Sequence, residues 1–183
     1  LLTVGYKVLA ALLLARLVQG GAKPRLRKTQ LGFRKKRGTT DAVFIVQRLI
    51  EKTWATKHGQ LSMILLDWSK AFDRVDPAAL LIALSRFGTP QPFVDMVAGI
   101  YEHRTFVVRD SQGTSATCEQ SSGIAQGCPL SPYLFIIMLT VMFADVDEQV
   151  NQHPLATQGG SVCRDLAYAD DTALVSEDPA LLQ

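Results

Sequence analysis

Asp170 and Asp171 are adjacent carboxylates in the segment Tyr168-Ala169-Asp170-Asp171, and the residues around them constrain what that segment can become. Leu166 to Tyr168 and Thr172 to Val175 are short β-branched and apolar runs, which predicts a tight β-hairpin with the two acids at its tip. Two anions held side by side repel by roughly 4 kcal/mol at about 4 Å and an effective dielectric near 20. Asp favours turns in any protein, so turn chemistry alone accounts for the pair. A divalent cation accounts for it equally and removes the repulsion.

Asp67 makes the cation the sharper reading. Gln60 to Leu66 is a strand-like run that ends at Asp67. A carboxylate at the end of one buried strand and a pair at the tip of a hairpin can converge on one sheet edge. Such an edge suits two Mg²⁺ ions about 3.5–4 Å apart, the arrangement used for in-line phosphoryl transfer.

The whole chain is compatible with that chemistry. Its 183 residues are 48% apolar, enough for one core or for two lobes that share one. No Met stands at position 1, and Pro179 to Gln183 follow the hairpin almost at once, so an excerpt of a longer polypeptide is expected. Eight cations and no acid lie between Gly20 and Thr40: Lys23, Arg25, Arg27, Lys28, Arg34, Lys35, Lys36 and Arg37. Since the net charge is only +2, the remainder is acidic, and one basic stripe on an acidic protein reads as either a phosphate contact or a solvated loop.

Cys118, Cys128 and Cys163 lack metal-ligand spacing, which points to a reducing, intracellular compartment, nuclear or cytoplasmic in a eukaryote, rather than to zinc. His58, His103 and His153 are scattered and have no partner nucleophile. Leu1 to Val18 is apolar but interrupted by Lys7 and Arg16, too short for the roughly 20 residues of a membrane span. A buried helix ending near Gly20 is expected instead, with no membrane partner.

Further along, Thr40-Asp41 is expected to cap a helix to about Lys57, with an apolar stripe of Ala42, Ile45, Val46, Leu49, Ile50 and Trp54. Asp76-Pro77 opens a helix through Phe87 that stops at Gly88, and Pro92 to His103 forms another. Arg104 to Asp110 and Thr114 to Gln120 read as a hairpin around Ser111-Gln112-Gly113. A loop rich in Gly, Ser and Pro, Ser121 to Ser131, precedes an apolar helix from Pro132 to about Val150 and a polar connection, Asn151 to Gly160. Helices and antiparallel hairpins in irregular order predict an α+β fold.

Several segments agree in type and order with one family. Gln30-Leu31-Gly32-Phe33-Arg34 with Thr39-Thr40-Asp41-Ala42, then Leu66 to Asp73, then Gly123 to Pro132, then Tyr168-Ala169-Asp170-Asp171 resemble the successive motifs of reverse transcriptases, above all those of non-LTR (LINE-type) retrotransposons. Tyr6 to Ala10 and Arg16-Leu17 resemble the stretch that precedes these motifs. The resemblance spans nearly the whole chain. It implies the fingers and palm of a right-hand polymerase, an antiparallel palm sheet packed on helices, with the thumb absent. The implied fingers cover about 1–60 and 77–125, and the palm about 61–76 and 126–183.

What the resemblance implies for chemistry is residue-specific. Asp67 and Asp170 would ligate Mg²⁺, the Trp68 carbonyl would add a ligand, and Asp171 would complete the acidic cluster, with two ions bound and Mn²⁺ as a substitute. Ser69, Lys70, Ala71, Gln126 and Gly127 would meet the incoming nucleotide. Phe72 matches the steric gate that excludes ribose; buried core is the ordinary fate of a Phe, but its spacing from Asp67 favours the gate. Arg34, Lys35, Lys36 and Arg37 would lie near template or triphosphate, with Tyr168 beside nucleic acid. RNA template, DNA primer and deoxynucleoside triphosphates are the implied partners, and the sequence leaves oligomeric state open. A group II intron-type reverse transcriptase, a non-catalytic nucleic-acid-binding remnant and a metal-dependent nuclease are the competing readings.

Overall fold

A computed structural model describes residues 2–152 and 164–182. His153, Cys163 and all but the first two residues of the connection expected over Asn151 to Gly160 lie outside them; Asn151 and Gln152 are helical. The chain divides into two compact units, Leu1–Lys23 with Lys70–Met138 and Pro24–Ser69 with Leu139–Gln183.

In the first unit, Thr3 Oγ1 accepts from the Tyr6 amide and starts helix α1 (Val4–Gln19). Ala10, Leu13 and Leu17 are buried at helical spacing, whereas Val4, Val8, Leu9 and Leu12 are exposed. The expectation of a buried helix therefore holds for one stripe only. Among the described residues no helix is long and apolar enough to cross a membrane. The single turn α2 (Ala22–Arg25) crosses the boundary after Lys23, α3 (Thr39–Trp54) belongs to the second unit, and the first unit resumes at Lys70 and continues into α4 (Pro77–Arg86). Its Asp76 cap accepts from the Ala78 amide at 2.8 Å, with Pro77 in the first turn, as the sequence predicts. Helix α5 (Gln91–Tyr101) packs beside it.

The hairpin between Arg104 and Gln120 is interrupted. Thr105–Phe106 (β2) pairs with Cys118–Glu119 (β5), while Arg109–Asp110 (β3) pairs with Gly113–Thr114 (β4). Three residues separate the two pairings on the returning side against two on the outgoing side, so the register slips by one, as at a β-bulge. Helix α6 (Ser131–Gln152) contributes Ser131 to Met138 here, including buried Leu134, Phe135, Ile136 and Ile137.

The second unit is built on the three-stranded antiparallel sheet β1-β7-β6: β1 (Ser62–Leu66), β6 (Arg164–Tyr168) and β7 (Asp171–Ser176). The segment at Gln30 lies parallel to β6, with the Leu31 amide donating to the Ala167 carbonyl at 2.7 Å. Helix α3 begins earlier than Thr40, because Asp41 Oδ2 accepts from the Gly38 amide. It covers one sheet face through Ala42 and Val46, which pack on Leu31, Leu166 and Ala173. Trp54 and Ile45, expected in its apolar stripe, are 82% and 38% exposed. The helix is longer than the small sheet it covers, so apolar periodicity overstates its buried face.

An ion-pair network ties β6 to the chain around it. Arg27 Nε and Nη2 donate to Asp165 at 2.7 and 2.5 Å, and Nη1 and Nη2 donate to Asp147 at 2.5 and 2.8 Å. Thr29 Oγ1 donates to Asp165 at 2.6 Å, and the Phe143 ring lies 5.2 Å from the guanidinium. Burial by itself pushes the Asp165 carboxyl up, but the hydrogen bonds from Arg27 and Thr29 outweigh it and hold the group below the usual carboxylate range. Asp147 raises the Arg27 pKa most, yet its side chain is half exposed and solvent-screened. The Asp165 pair, whose carboxylate is 5% exposed, carries the greater share of the stability.

Arg27→Met should therefore cost about 3–5 kcal/mol at pH 7, the usual loss when one partner of a buried pair is removed. Because the native Asp165 pKa is depressed, the pair's contribution is full above the unfolded value of about 3.9 and is lost as pH falls through the native one. In the variant only the Thr29 and backbone hydrogen bonds still oppose burial, so that pKa rises and the variant loses less stability than the wild type as pH falls. Thermal unfolding of both proteins from pH 7 to pH 3 should show the gap narrowing on acidification.

Candidate active site

Register assembles the acidic site of the second unit. Ser62 pairs with Ser176 and Leu66 with Thr172, which brings Asp67, one step beyond β1, level with Asp171, one step before Thr172. Opposite residues of an antiparallel pair share a face. Both carboxylates are exposed and line one cavity of about 540 Å³, whose walls are largely apolar residues such as Val46, Met63 and Leu166.

The turn is shifted from the expected one. Tyr168 pairs with Asp171, so the two-residue loop is Ala169-Asp170, and Asp171 is a strand residue rather than half of the tip. Ala169 has φ 58°, while Asp170 is not among the positive-φ residues. Positive φ at the first loop position alone is the pattern of a type II′ turn, where glycine is the usual occupant. Trp68 reinforces the exit of β1: its indole N–H donates to Thr172 Oγ1 at 3.2 Å, and that hydroxyl donates to the Asp170 carbonyl at 3.2 Å. A two-bond relay thus links Trp68, the residue after Asp67, to the backbone of Asp170.

Carboxylate oxygens suit Mg²⁺, which is bound by one or two carboxylates plus substrate phosphates rather than by an all-protein cage. The donor set of Asp67 and Asp171 on one cavity wall, with Asp170 adjacent, fits that description. Among the described residues no three His, Cys, Asp or Glu side chains form a metal-holding group. A coordination shell here would need oxygens beyond these side chains.

The segment from Arg27 to Arg37, read from sequence as a phosphate contact, has internal duties. Besides Arg27, the Arg34 guanidinium donates to the carbonyls of Arg27 and Gln30 at 3.0 and 3.3 Å. Arg37 donates to the Lys28 carbonyl at 2.8 Å, and Lys35 and Lys36 are exposed. Sequence reasoning missed Gln30, which is 2% exposed and bonds the backbone of Ala169 through its side chain. The signal was available: a Gln two positions before a glycine in a segment otherwise rich in cations. Tyr168 is half-buried against the Leu31–Leu166–Ala173 cluster.

The nucleotide-contact residues expected from the family fall mostly in the first unit. Ser69 closes the second unit; Lys70, exposed with φ 54°, opens the stretch in which its carbonyl accepts from the Asp73 amide at 2.9 Å. Ala71 and Phe72 are half-buried, and the Phe72 ring stacks on Phe135 with centroids 4.7 Å apart. One ring face of Phe72 is thus core. The loop 121–131 runs beside this stretch: Ile124 N–H donates to the Phe72 carbonyl at 2.8 Å, and Gln126 Nε2 donates to Asp73 Oδ1 at 2.9 Å. Gly127 is exposed at φ 77°, and a Cβ there would meet nothing within 4 Å, so conformation rather than crowding requires glycine. At the neighbouring position, burial raises the Tyr6 phenol pKa, with a further rise from a hydrogen bond to buried Cys128.

Crowding is what requires glycine at Gly32, where a Cβ would lie 2.1 Å from the Ala169 nitrogen. Gly32→Ala should therefore push the segment off the hairpin and destabilise the chain by about 1–3 kcal/mol or more. A lowered denaturation midpoint would show it, whereas Gly127→Ala should cost only the local backbone strain, about 1–2 kcal/mol.

The family described as reverse transcriptase (RNA-dependent DNA polymerase) matches residues 1–183. A Retrovirus-related Pol polyprotein from type-2 retrotransposable element R2DM of Drosophila melanogaster is 30% identical over 84% of this chain, which spans 14% of that protein. A Transposon TX1 uncharacterized 149 kDa protein of Xenopus laevis is 30% identical over 75% of this chain and 10% of its own length. The Pol polyprotein from a type-1 R2 element of Popillia japonica is 28% identical over 88% of this chain and 22% of its own. Among solved structures, apo telomerase from Candida tropicalis truncated from its C-terminal domain superposes with TM-score 0.64 and 16% identity over 92% of this chain and 35% of that one. Telomerase from Candida albicans in complex with a telomeric RNA fragment gives 0.63 and 12% over 97% and 31%. At that identity the structures bear on fold alone, and they agree with a polymerase fingers-and-palm arrangement. The chain belongs to the reverse transcriptase family, and its relatives place it with the non-LTR, LINE-type retrotransposon branch that its motifs resemble.

Proposed function

We propose that this chain is the catalytic portion of an RNA-directed DNA polymerase that serves retrotransposition. The observation that carries the reading is the level placement of Asp67 and Asp171 on neighbouring strands, with Asp170 in the turn, in a chain of the reverse transcriptase family. The reaction is attack of a primer 3′-hydroxyl on the α-phosphate of a deoxynucleoside triphosphate, opposite an RNA template, with loss of pyrophosphate. Two Mg²⁺ ions held by Asp67, Asp170 and Asp171, with the Trp68 carbonyl, would supply hydroxyl activation and neutralisation of the leaving charge.

The remaining residues position and select. Gln126, held by Asp73, and Gly127 present side-chain and backbone groups to the nucleotide, with Ser69, Lys70 and Ala71 from the segment that precedes Asp73. Phe72, stacked on Phe135 and therefore rigid, takes the role of sugar gate. Lys35, Lys36 and the outer parts of Arg34 and Arg37 meet the nucleic-acid backbone, and Tyr168 contributes beside Asp170. The fingers and palm ranges given above, and an intracellular, reducing location, belong to the same proposal. The chain spans 14% of its Drosophila relative, so the full-length polypeptide is the proper object of the assay.

Primer extension on an RNA template should require Mg²⁺ and should be abolished by Asp170→Asn; equal synthesis by both proteins overturns the assignment. In the same assay Phe72→Val should raise ribonucleotide relative to deoxyribonucleotide incorporation by about tenfold or more, since removing a clash of about 1.4 kcal/mol already gives that factor. Unchanged selectivity removes the gate role and leaves Phe72 as the core partner of Phe135.

A further inference from the structure

Ala169 occupies a backbone conformation that its own side chain disfavours. A non-glycine residue at φ 58° is strained and persists only where its surroundings over-determine it. Those surroundings are one side chain. Gln30 Oε1 accepts from the Ala169 amide at 2.9 Å, and Gln30 Nε2 donates to the Ala169 carbonyl at 3.0 Å. The second lone pair of Oε1 accepts from the Gly32 amide at 2.8 Å, which fixes the orientation of the Gln30 amide itself. Both backbone groups of the strained residue are therefore satisfied by a side chain that is 2% exposed and far away in sequence.

The clamp is itself anchored. Ala167 N–H donates to the Thr29 carbonyl at 3.1 Å and Leu31 N–H to the Ala167 carbonyl at 2.7 Å, so backbone bonds grip β6 on either side of Gln30. Gly32 then passes so close to Ala169 that no Cβ fits between them. Sheet pairing alone accounts for the strands on either side of the turn. It leaves the Ala169 peptide groups unbonded within the sheet, and they are the groups that set how Asp170 and Asp171 leave the turn.

We infer that Gln30 is a positioning residue for the Asp170–Asp171 carboxylates: by holding both polar groups of Ala169 it keeps the turn in the strained form that aims them. The inference rests on the proposal that these carboxylates bind metal, and it extends that site to a residue that touches neither substrate nor ion. Groups behind metal ligands commonly govern affinity by 10–100-fold when removed. A role confined to folding would lower stability and leave the affinity of the folded protein unchanged.

The test is Mn²⁺ binding, followed by electron paramagnetic resonance, by the wild-type chain and its Gln30→Ala, Ala169→Gly, Gln30→Ala/Ala169→Gly and Asp170→Asn variants. Gln30→Ala should weaken binding about tenfold or more. In the double variant part of that loss should return, because glycine adopts the turn without the strain that Gln30 otherwise offsets. Gln30→Ala that stays folded and binds Mn²⁺ as the wild type does overturns the inference, provided Asp170→Asn lowers binding. If Asp170→Asn leaves binding unchanged, the metal reading itself fails, and the inference with it. Should Gln30→Ala fail to fold, hydrogen exchange of the Ala169 amide in the wild-type chain decides: strong protection is expected, and exchange at the rate of an open turn overturns the clamp.

Discussion

The second unit depends on the register of β7. It is the central strand, paired with β1 on one side and β6 on the other, so each of its residues answers to two neighbours. A slip of one residue would turn Thr172 to the opposite face, take Asp171 off the level of Asp67 and break the link from Trp68 to the Asp170 carbonyl. Ala173 and Val175 on one face and Thr172 and Ser176 on the other are all buried, and they oppose such a slip because it would turn the two polar residues toward the apolar cluster that Ala173 joins. The same register that makes a core also makes an acidic site.

Two devices from the segment 27–32 hold the far strand β6 in that register. Arg27 fastens Asp165, and Gln30 fastens Ala169, four residues further on. The first is an ion pair whose worth comes from burial, and the second is a neutral clamp whose worth comes from satisfying backbone groups in a strained turn. Between them they put electrostatic and conformational constraints at the two ends of one short strand. This explains why a segment that looks like a mere basic loop is so densely bonded to its own surroundings.

Local rules made much of the fold legible. Asp76-Pro77 names its helix start because a cap needs only residues within three positions, and the hairpin around Asp170 is apparent from the apolar runs beside it. Legibility failed where burial depends on distant neighbours. Trp54 and Ile45 obey helical periodicity yet remain exposed, and α1 buries one stripe of an almost uniformly apolar helix. The residues proposed for function, Asp67, Phe72, Gln126 and the Asp pair, stood out in the sequence only as motifs, because those combinations resemble one family. Arg27 was hidden among eight cations, since no local pattern separates the one that finds a buried carboxylate from its neighbours.

The sequence by itself determined the elements, the family and the identity of the acidic residues, since all of these are written in short-range patterns and ordered motifs. The tertiary structure alone decided that Asp171 rather than Asp170 lies level with Asp67, that Ala169 rather than an aspartate takes the positive φ, and that Gln30 supports it. The physical reason is that these outcomes are set by strand register and by contacts between residues more than 100 positions apart, as from Gln30 to Ala169 and Trp68 to Thr172. Such contacts carry no periodicity and no spacing, and they exist only once the chain has closed on itself.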